Sequence, residues 1–174
     1  VVENNWLGRG VNVATSLSVS KETFSGGLYV TDPNYNFSGN SLNYFASNTT
    51  NDKPDSGFKN NLVKTGIGTK FEQYQNIYLA PQLTLSYDDL KVESTASESL
   101  KKQKGTFTDV SLDYSIQLDN RDKIYAPTDG YLTSFTQGVP LYADSPYLKN
   151  TFSFSKYESF SPDAIGTFKF YVST

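Results

Sequence analysis

Alternation with a period of two residues is the feature that most constrains how this chain can fold. The clearest example is the segment VSLDYSIQL. Its apolar positions are Val110, Leu112, Tyr114, Ile116 and Leu118, and its polar positions are Ser111, Asp113, Ser115 and Gln117. Because successive side chains of a β-strand point to opposite faces, this segment has one apolar and one polar face when it is extended. The pattern therefore predicts a strand that is apolar on one side only.

The same alternation recurs along the chain and predicts roughly nine strands. The predicted strands cover residues 11–20, 25–31, 41–48, 62–71, 77–87, 110–118, 131–141, 149–157 and 165–172. Several are close to the nine to eleven residues that a tilted strand needs to cross a bilayer. Pro81 lies inside the most apolar of these segments, where it removes a ladder hydrogen bond and predicts a bulge or a strand end nearby.

The composition favours an all-β chain and an antiparallel transmembrane barrel. The sequence contains 13 Tyr and 12 Phe among many Ser, Thr and Asn residues, and no segment keeps helical spacing for long. The polar face suits a watery lumen, and aromatic residues recur near strand ends, as they do at membrane interfaces. A soluble β-sandwich that binds ligands through loops is the alternative, since it also alternates.

The connections supply a second signal. Two of them are long and polar, NTTNDKPDSGFKN and DLKVESTASESLKKQKG, and they alternate with compact turns. Outer-membrane barrels have short periplasmic turns and longer external loops. We therefore expect the two long segments to be loops on one side of the sheet.

Missing residue types exclude several function classes. The chain has no His and no Cys, which removes thiol nucleophiles, histidine bases and nearly all zinc sites. The acidic pairs Asp88 with Asp89 and Asp52 with Asp55 lack a partner base, so we expect them to be solvated and expect no enzyme activity, metal or cofactor. With a net charge of -3 and no basic stripe, nucleic acid is not an expected partner.

The turn from Asp119 to Gly130 carries specific turn chemistry. Asp119 and Arg121 lie two residues apart and can form a charge-assisted pair across the base of the turn. Pro127, followed by Thr128, restricts the backbone, and Gly130 allows a positive φ angle or a close backbone approach. We expect these residues to stabilise the turn rather than to form an active site.

This turn, with its Pro-Thr-x-Gly sequence, resembles the barrel of the BamA family of outer-membrane protein assembly factors, in the surface-antigen superfamily. Two further turns agree with the resemblance. The residues of these turns are Asn5, Trp6, Leu7, Gly8 and Gly10 in the first, and Val30, Thr31, Asp32 and Pro33 in the second. The three motifs occur in family order, although Asn34 separates Pro33 from Tyr35, where the family has an aromatic directly after the proline.

The resemblance implies that residues 1–174 are part of one barrel of about sixteen strands. It implies that periplasmic POTRA domains, the first strand and the last strands lie outside this sequence. The implied function is the folding and insertion of other β-barrels into the bacterial outer membrane without a chemical reaction. The implied partners are outer-membrane lipid, unfolded barrel clients and periplasmic accessory lipoproteins. A secretion pore or an autotransporter-assembly barrel of the same superfamily is the nearest alternative.

Overall fold

The computed structural model describes residues 1–161 and 163–174, and these residues form one antiparallel sheet of ten strands. The strands are β1 (Val2–Trp6), β2 (Val11–Val19), β3 (Thr23–Asp32), β4 (Ser41–Lys53), β5 (Phe58–Tyr74), β6 (Ile77–Val92), β7 (Gly105–Asp119), β8 (Gly130–Tyr142), β9 (Lys149–Ser161) and β10 (Ala164–Ser173). Each strand pairs with the next one along the chain, and β1 and β10 form the two edges of the open sheet. The all-β prediction is confirmed.

Ten strands are present instead of the nine that were counted from alternation. The additional strand is β1, whose five residues pair with β2 through Val2 with Ala14 and Glu3 with Val13. A strand this short offers too few positions for alternation to be recognised. The β-sandwich alternative is wrong, because within the described residues all strands belong to a single sheet and no second sheet covers it.

The segment expected to be the first long loop is a β-hairpin. β4 continues to Lys53, a single 3-10 turn covers Pro54–Ser56, and β5 begins at Phe58. Polar side chains hold the two strands together, since the Thr50 hydroxyl donates to Asn61 at 2.9 Å and the Asn51 amide donates to Asn60 at 3.0 Å. The polar composition of this segment was therefore wrongly interpreted as a loop, because a hairpin with both faces in water needs no apolar residues.

The expected asymmetry in loop length is also wrong. The connections at one end of the sheet cover residues 20–22, 54–57, 93–104 and 143–148, and those at the other end include 33–40 and 120–129. The longest is 93–104, which contains the one-turn helix α1 (Glu98–Lys101), and the next longest, 120–129, lies at the opposite end. Strands β4 to β7 instead extend further at that end. The two ends of the sheet therefore differ in strand length, and not in loop length as we expected.

Pro81 neither ends β6 nor causes a bulge at its own position. It pairs with Tyr114 on β7 in the same register as the rest of the strand. Toward β5 the ladder lacks pairs at Ala80 and Pro81 and then resumes in the same register. The missing N–H of proline therefore interrupts the ladder for two residues without changing the path of the strand.

The sheet has almost no core. Among the described residues, Ala96 is the only apolar side chain that is buried. No helix among them is both long and apolar enough to cross a membrane. Since strand pairing rather than packing holds the chain together, its large apolar side chains need another environment to cover them.

Candidate functional site: two unlike faces and an ion-paired rim turn

One face of the sheet, here called the apolar face, exposes large apolar side chains on each strand from β2 to β7. Leu17 is 71% exposed, Leu28 45%, Ile67 43% and Leu83 43%. The ladder aligns such residues in rows, for example Leu83 with Leu112 across β6 and β7. A soluble protein rarely leaves a continuous patch of this size uncovered. The predicted apolar positions Leu112, Tyr114 and Ile116 all lie on this face.

The opposite face, here called the polar face, is a hydrogen-bonded network of small polar side chains. The hydroxyls of Thr84 and Ser111 both donate to the Asp113 carboxylate, at 3.0 and 3.1 Å. The Ser134 and Ser153 hydroxyls, from a cross-strand pair, lie 2.8 Å apart. None of the buried side-chain polar atoms in the described part of the chain lacks a hydrogen-bond partner. This face is suited to water.

Two aromatic rings on the polar face lie flat against glycines. Tyr29 and Phe45 are a cross-strand pair with nearly parallel rings whose centroids are 6.4 Å apart. A Cβ atom at Gly66 would lie 2.4 Å from the Phe45 ring, and one at Gly27 would lie 2.8 Å from the Tyr29 ring. The rings occupy the space that glycine leaves open. Sequence reasoning missed this pair, although a glycine facing an aromatic residue is a recognisable device in curved sheets.

The acidic pairs considered as catalytic candidates do not converge. Asp88 and Asp89 are both in β6, so consecutive side chains point to opposite faces. The Asp88 carboxylate accepts from the Asn60 amide at 3.2 Å, whereas Asp89 pairs with Lys91 at 3.3 Å. Asp52 pairs with Lys59 at 2.8 Å. Among the described residues there is no cluster of three acidic side chains that could hold a metal.

The three predicted turn motifs lie at the same end of the sheet, here called the motif rim. They follow β1, β3 and β7, and in an antiparallel sheet every second connection lies at the same end. In the first turn the Gly10 N–H donates to the Asn5 side chain at 2.6 Å, and Gly8 and Gly10 have φ angles of 71° and 72°. Trp6 pairs with Val11, and Leu7 is 81% exposed.

The second motif turn begins where β3 ends. Thr31 and Asp32 are the last residues of that strand, and Pro33 is the first residue of the turn. The Asp32 carboxylate accepts from the Asn34 N–H at 3.1 Å, and the Asn34 side chain accepts from the Gly39 N–H at 2.7 Å. Asn34, which departs from the family pattern, thus closes the longer turn from within.

The expected ion pair of the third turn is present and is the most enclosed one in the described chain. Arg121 Nε and Nη2 donate to the two oxygens of Asp119 at 2.8 and 2.7 Å, and the two side chains are 14% and 16% exposed. Arg121 Nη1 also donates to the Ile124 carbonyl at 3.3 Å. A bidentate pair of this kind fixes the plane of the guanidinium group. Arg121 therefore joins the end of β7 to the middle of the turn.

A second carboxylate, which sequence reasoning missed, closes the other half of this turn. Asp122 accepts the backbone N–H groups of Thr128 and Asp129 at 2.9 and 3.1 Å, and the Thr128 hydroxyl donates to it as well. These donors hold the pKa of Asp122 well below its usual value. An aspartate five residues before Pro-Thr-x-Gly does not signal this contact, because only the folded turn brings the groups together.

Gly130 meets both conditions that were expected of it. Its φ angle is 95°, and a Cβ atom at this position would lie 2.1 Å from the Asn120 carbonyl oxygen. The N–H of Asn120 donates to the Tyr131 carbonyl at 2.9 Å and so closes the base of the turn. Pro127 follows Ala126, a non-glycine residue with a φ angle of 47°. The backbone is therefore tightly folded at both ends of the Pro-Thr-x-Gly sequence.

Comparison with known proteins agrees with this architecture. The model of the Omp85 superfamily domain matches residues 5–173. A comparison with curated protein sequences returned no match. Among solved structures, BamA from Haemophilus ducreyi lacking POTRA domains 1–3 superimposes with a TM-score of 0.76 at 17% identity. The match covers 99% of the present chain and 37% of that BamA chain.

The structural match and the family match test different properties of the chain. At 17% identity the structural match establishes the fold, and it confirms the expected resemblance to BamA-type barrels. The family match covers nearly every strand, from β1 to β10. The chain therefore belongs to the Omp85 superfamily.

Proposed function

We propose that this chain is part of the wall of a bacterial outer-membrane barrel that folds and inserts other β-barrel proteins. The observation that carries the proposal is the exposed apolar face in a sheet without a core. Covering that face with lipid removes its apolar surface from water, and the polar face then lines an aqueous lumen. On β6 the apolar positions extend from Ile77 to Tyr87, which matches the length of a tilted transmembrane strand.

The motif rim is the periplasmic side in this proposal. Its connections are closed by side-chain hydrogen bonds, as in the Asp122 and Asn5 turns. The longer strands β4 to β7 then extend to the cell exterior, where both of their faces meet water. POTRA domains would precede the barrel on the periplasmic side, and accessory lipoproteins and unfolded clients would approach from there.

Assembly itself requires no bond chemistry. A strand edge that is unpaired can align an incoming strand through backbone hydrogen bonds, since N–H and C=O groups in a bilayer must be paired within protein. The residues described here supply the wall that carries such an edge. Lipid and client barrels are therefore the proposed partners, and no cofactor takes part.

The test is reconstitution of the full-length protein in lipid vesicles. A urea-unfolded outer-membrane barrel is added, and its folded fraction is followed by the gel shift that distinguishes folded from heat-denatured barrels. We expect the protein to accelerate folding relative to empty vesicles and to vesicles with an unrelated barrel. If it folds in the vesicles but gives no acceleration, the assembly role is wrong.

A secretion pore of the same superfamily is the second candidate, and the hydrogen-bonded polar face favours it. A pore has to pass an unfolded chain or ions through its lumen. Conductance of planar bilayers containing the protein discriminates the two candidates. A pore would give large stable currents and would not accelerate barrel folding.

A further inference from the structure

The most exposed large apolar side chains in the described part of the chain are at the motif rim. Apart from the terminal residue Val1, the four highest exposed fractions are those of Phe37 (92%), Tyr125 (88%), Leu7 (81%) and Phe160 (75%). The first three lie in the turns after β3, β7 and β1, and Phe160 is the penultimate residue of β9. These four residues are here called the rim tips. Four of the five connections at this end therefore present an apolar side chain to their surroundings.

The backbone of the rim turns is unfavourable for two of these side chains. In the described chain, the non-glycine residues with a positive φ angle are Leu7, Phe37, Asn76 and Ala126, at 53°, 59°, 63° and 47°. All four lie in connections at the motif rim. Asparagine and glycine adopt such angles readily, whereas bulky side chains are disfavoured there. A turn that only joined two strands would be more stable with one of those two residues at positions 7 and 37.

The apolar face reaches the motif rim without a polar margin on several strands. Ile77, the first residue of β6, lies on this face and pairs with Leu118, the penultimate residue of β7. Tyr74 ends β5 and pairs with Ile77, and Trp6 ends β1 and pairs with Val11. On these strands the apolar surface therefore continues directly into the turns.

The height of the apolar face places the motif rim relative to a bilayer. From Ile77 to Tyr87, β6 rises about 33 Å along the strand, which is about 25 Å along the membrane normal at a tilt of about 40°. The apolar band of an outer-membrane barrel is also about 25 Å tall. Beyond Tyr87 the strand continues to Val92, whereas at the other end it begins at Ile77 itself. A bilayer that covers this face therefore has one of its headgroup layers at the rim turns.

The residues beside the rim tips have the chemistry that a headgroup layer requires. Arg9 is exposed in the same turn as Leu7. Lys123 is close to Tyr125, and its side chain is 62% exposed. Lysine and arginine can lay their apolar stems along hydrocarbon while the charge reaches a phosphate. Aromatic side chains are enriched at the same level of the membrane. The turns thus combine apolar tips with cationic groups.

The distribution of the rim tips favours lipid over a protein partner. Neighbouring turns at one rim are two strands, or about 10 Å, apart, so the arc from Leu7 to Phe160 is about 40 Å long. A docked domain would cover part of such an arc, whereas a bilayer surrounds all of it. The Phe160 ring also lies against the apolar face, because a Cβ atom at Gly166 would be 2.4 Å from it. The tips are therefore continuous with the surface that lipid covers.

We propose that the rim tips insert into the headgroup layer of the phospholipid leaflet around the motif rim and set the depth of the barrel in the membrane. The partner of this surface is phospholipid, with the apolar tips toward the acyl chains and the basic residues toward the phosphates. The inference rests on the membrane placement proposed above, but it does not require assembly activity.

Spin labels test the proposal, and the absence of cysteine from this chain allows single labels to be placed in it. Full-length Phe37→Cys and Tyr125→Cys are labelled in vesicles of phosphatidylethanolamine and phosphatidylglycerol. Collisions with oxygen, which concentrates in the bilayer, are compared with collisions with a water-soluble nickel chelate. Asp55→Cys, exposed in the 3-10 turn at the other end, is the matched control. We expect an oxygen-to-nickel ratio at least about threefold higher at positions 37 and 125 than at position 55.

A label at Leu83→Cys, in the middle of the apolar face, reports the membrane placement itself. If oxygen does not reach this label, the placement and the proposed function fail. If oxygen reaches it but the nickel chelate reaches the tips as readily as position 55, the tips are in water and this inference is wrong. If neither reagent reaches the tips, a protein domain covers them, and the inference is equally wrong.

The substitution Phe37→Asn is the second measurement, because asparagine accepts the φ angle of 59°. If residue 37 only shapes the turn, the variant should fold as well as the parent or better. If the ring is inserted in the headgroup layer, the equilibrium constant for folding in the same vesicles should fall about tenfold. Phe37→Trp, which keeps an aromatic ring, should stay within about threefold of the parent. An asparagine variant as stable as the parent would overturn the proposal.

Discussion

The substitution Gly130→Ala should lower the free energy of unfolding for two separate reasons, both of which arise at the turn after β7. The φ angle of 95° is in the left-handed region, which costs an alanine about 1 kcal/mol. In addition, the new Cβ atom would lie 2.1 Å from the Asn120 carbonyl oxygen, and contacts below 3.0 Å are essentially never observed. The carbonyl therefore has to move by about 1 Å, which disturbs a strand-closing peptide at a further cost of about 2 kcal/mol.

Gly39→Ala is the matched control, because only the first cost applies to it. Its φ angle is 76° and no atom lies within 4 Å of the position that a Cβ would occupy. We expect a loss of about 1 kcal/mol for Gly39→Ala and about 3 kcal/mol for Gly130→Ala. Gly39 lies in a turn at the motif rim and Gly130 directly follows one, so the difference isolates the contact with Asn120.

The assay is reversible urea unfolding of the full chain in detergent micelles or lipid vesicles. The folded fraction is measured by the heat-dependent gel shift and by circular dichroism at equilibrium in both directions. A difference between the two variants smaller than about 0.5 kcal/mol would refute the argument, since it would mean that the turn relaxes around the new methyl group without cost.

Three further outcomes follow from the faces and the turn. Leu112→Lys should destabilise the membrane-inserted protein by about 2–4 kcal/mol, whereas Ser111→Lys on the polar face should cost about 1 kcal/mol or less, as measured by the same unfolding assay. Gly66→Ala should cost about 2 kcal/mol, because its Cβ would lie 2.4 Å from the Phe45 ring. The donors of Asp122 lower its pKa, so the ionised carboxylate should stabilise the turn fully at pH values above 3.8, which is its ordinary pKa. This contribution to the free energy of unfolding should be lost as the pH falls below 3.8 toward the lowered pKa.

A specific result would contradict each of these predictions. Equal effects of lysine at positions 111 and 112 would reverse or abolish the assignment of the faces. A Gly66→Ala variant as stable as the parent would show that the Phe45 ring and the Leu83 carbonyl, 2.6 Å from the same Cβ, both move aside without cost. For Asp122, the titration is followed by the amide shifts of Thr128 and Asp129. Thr128→Val should move the midpoint up toward 3.8, and an unchanged midpoint would exclude the hydroxyl as a cause.

The segments whose structure was predicted wrongly were misassigned for one reason. Asn, Thr and Lys residues between positions 48 and 60 have the composition of a loop, but they form the ends of β4 and β5. Apolar alternation reports a strand only where one of its faces is covered by apolar material. Where a hairpin has water on both sides, cross-strand hydrogen bonds such as Thr50 with Asn61 hold it together, and composition does not reveal them.

By itself, the sequence determined the strands, their two unlike faces and the chemistry of the turn at Asp119. These are local properties, since side-chain direction alternates along any strand and Arg121 is only two residues from its partner. The tertiary structure alone decided the register, and with it which side chains meet. Asn120 and Gly130, Phe45 and Gly66, and Gln137 and Asn150 are brought together by strand pairing across 10 or more residues. Period two specifies the face of a residue but not its neighbour across the ladder, because every register shift by two residues preserves the same pattern.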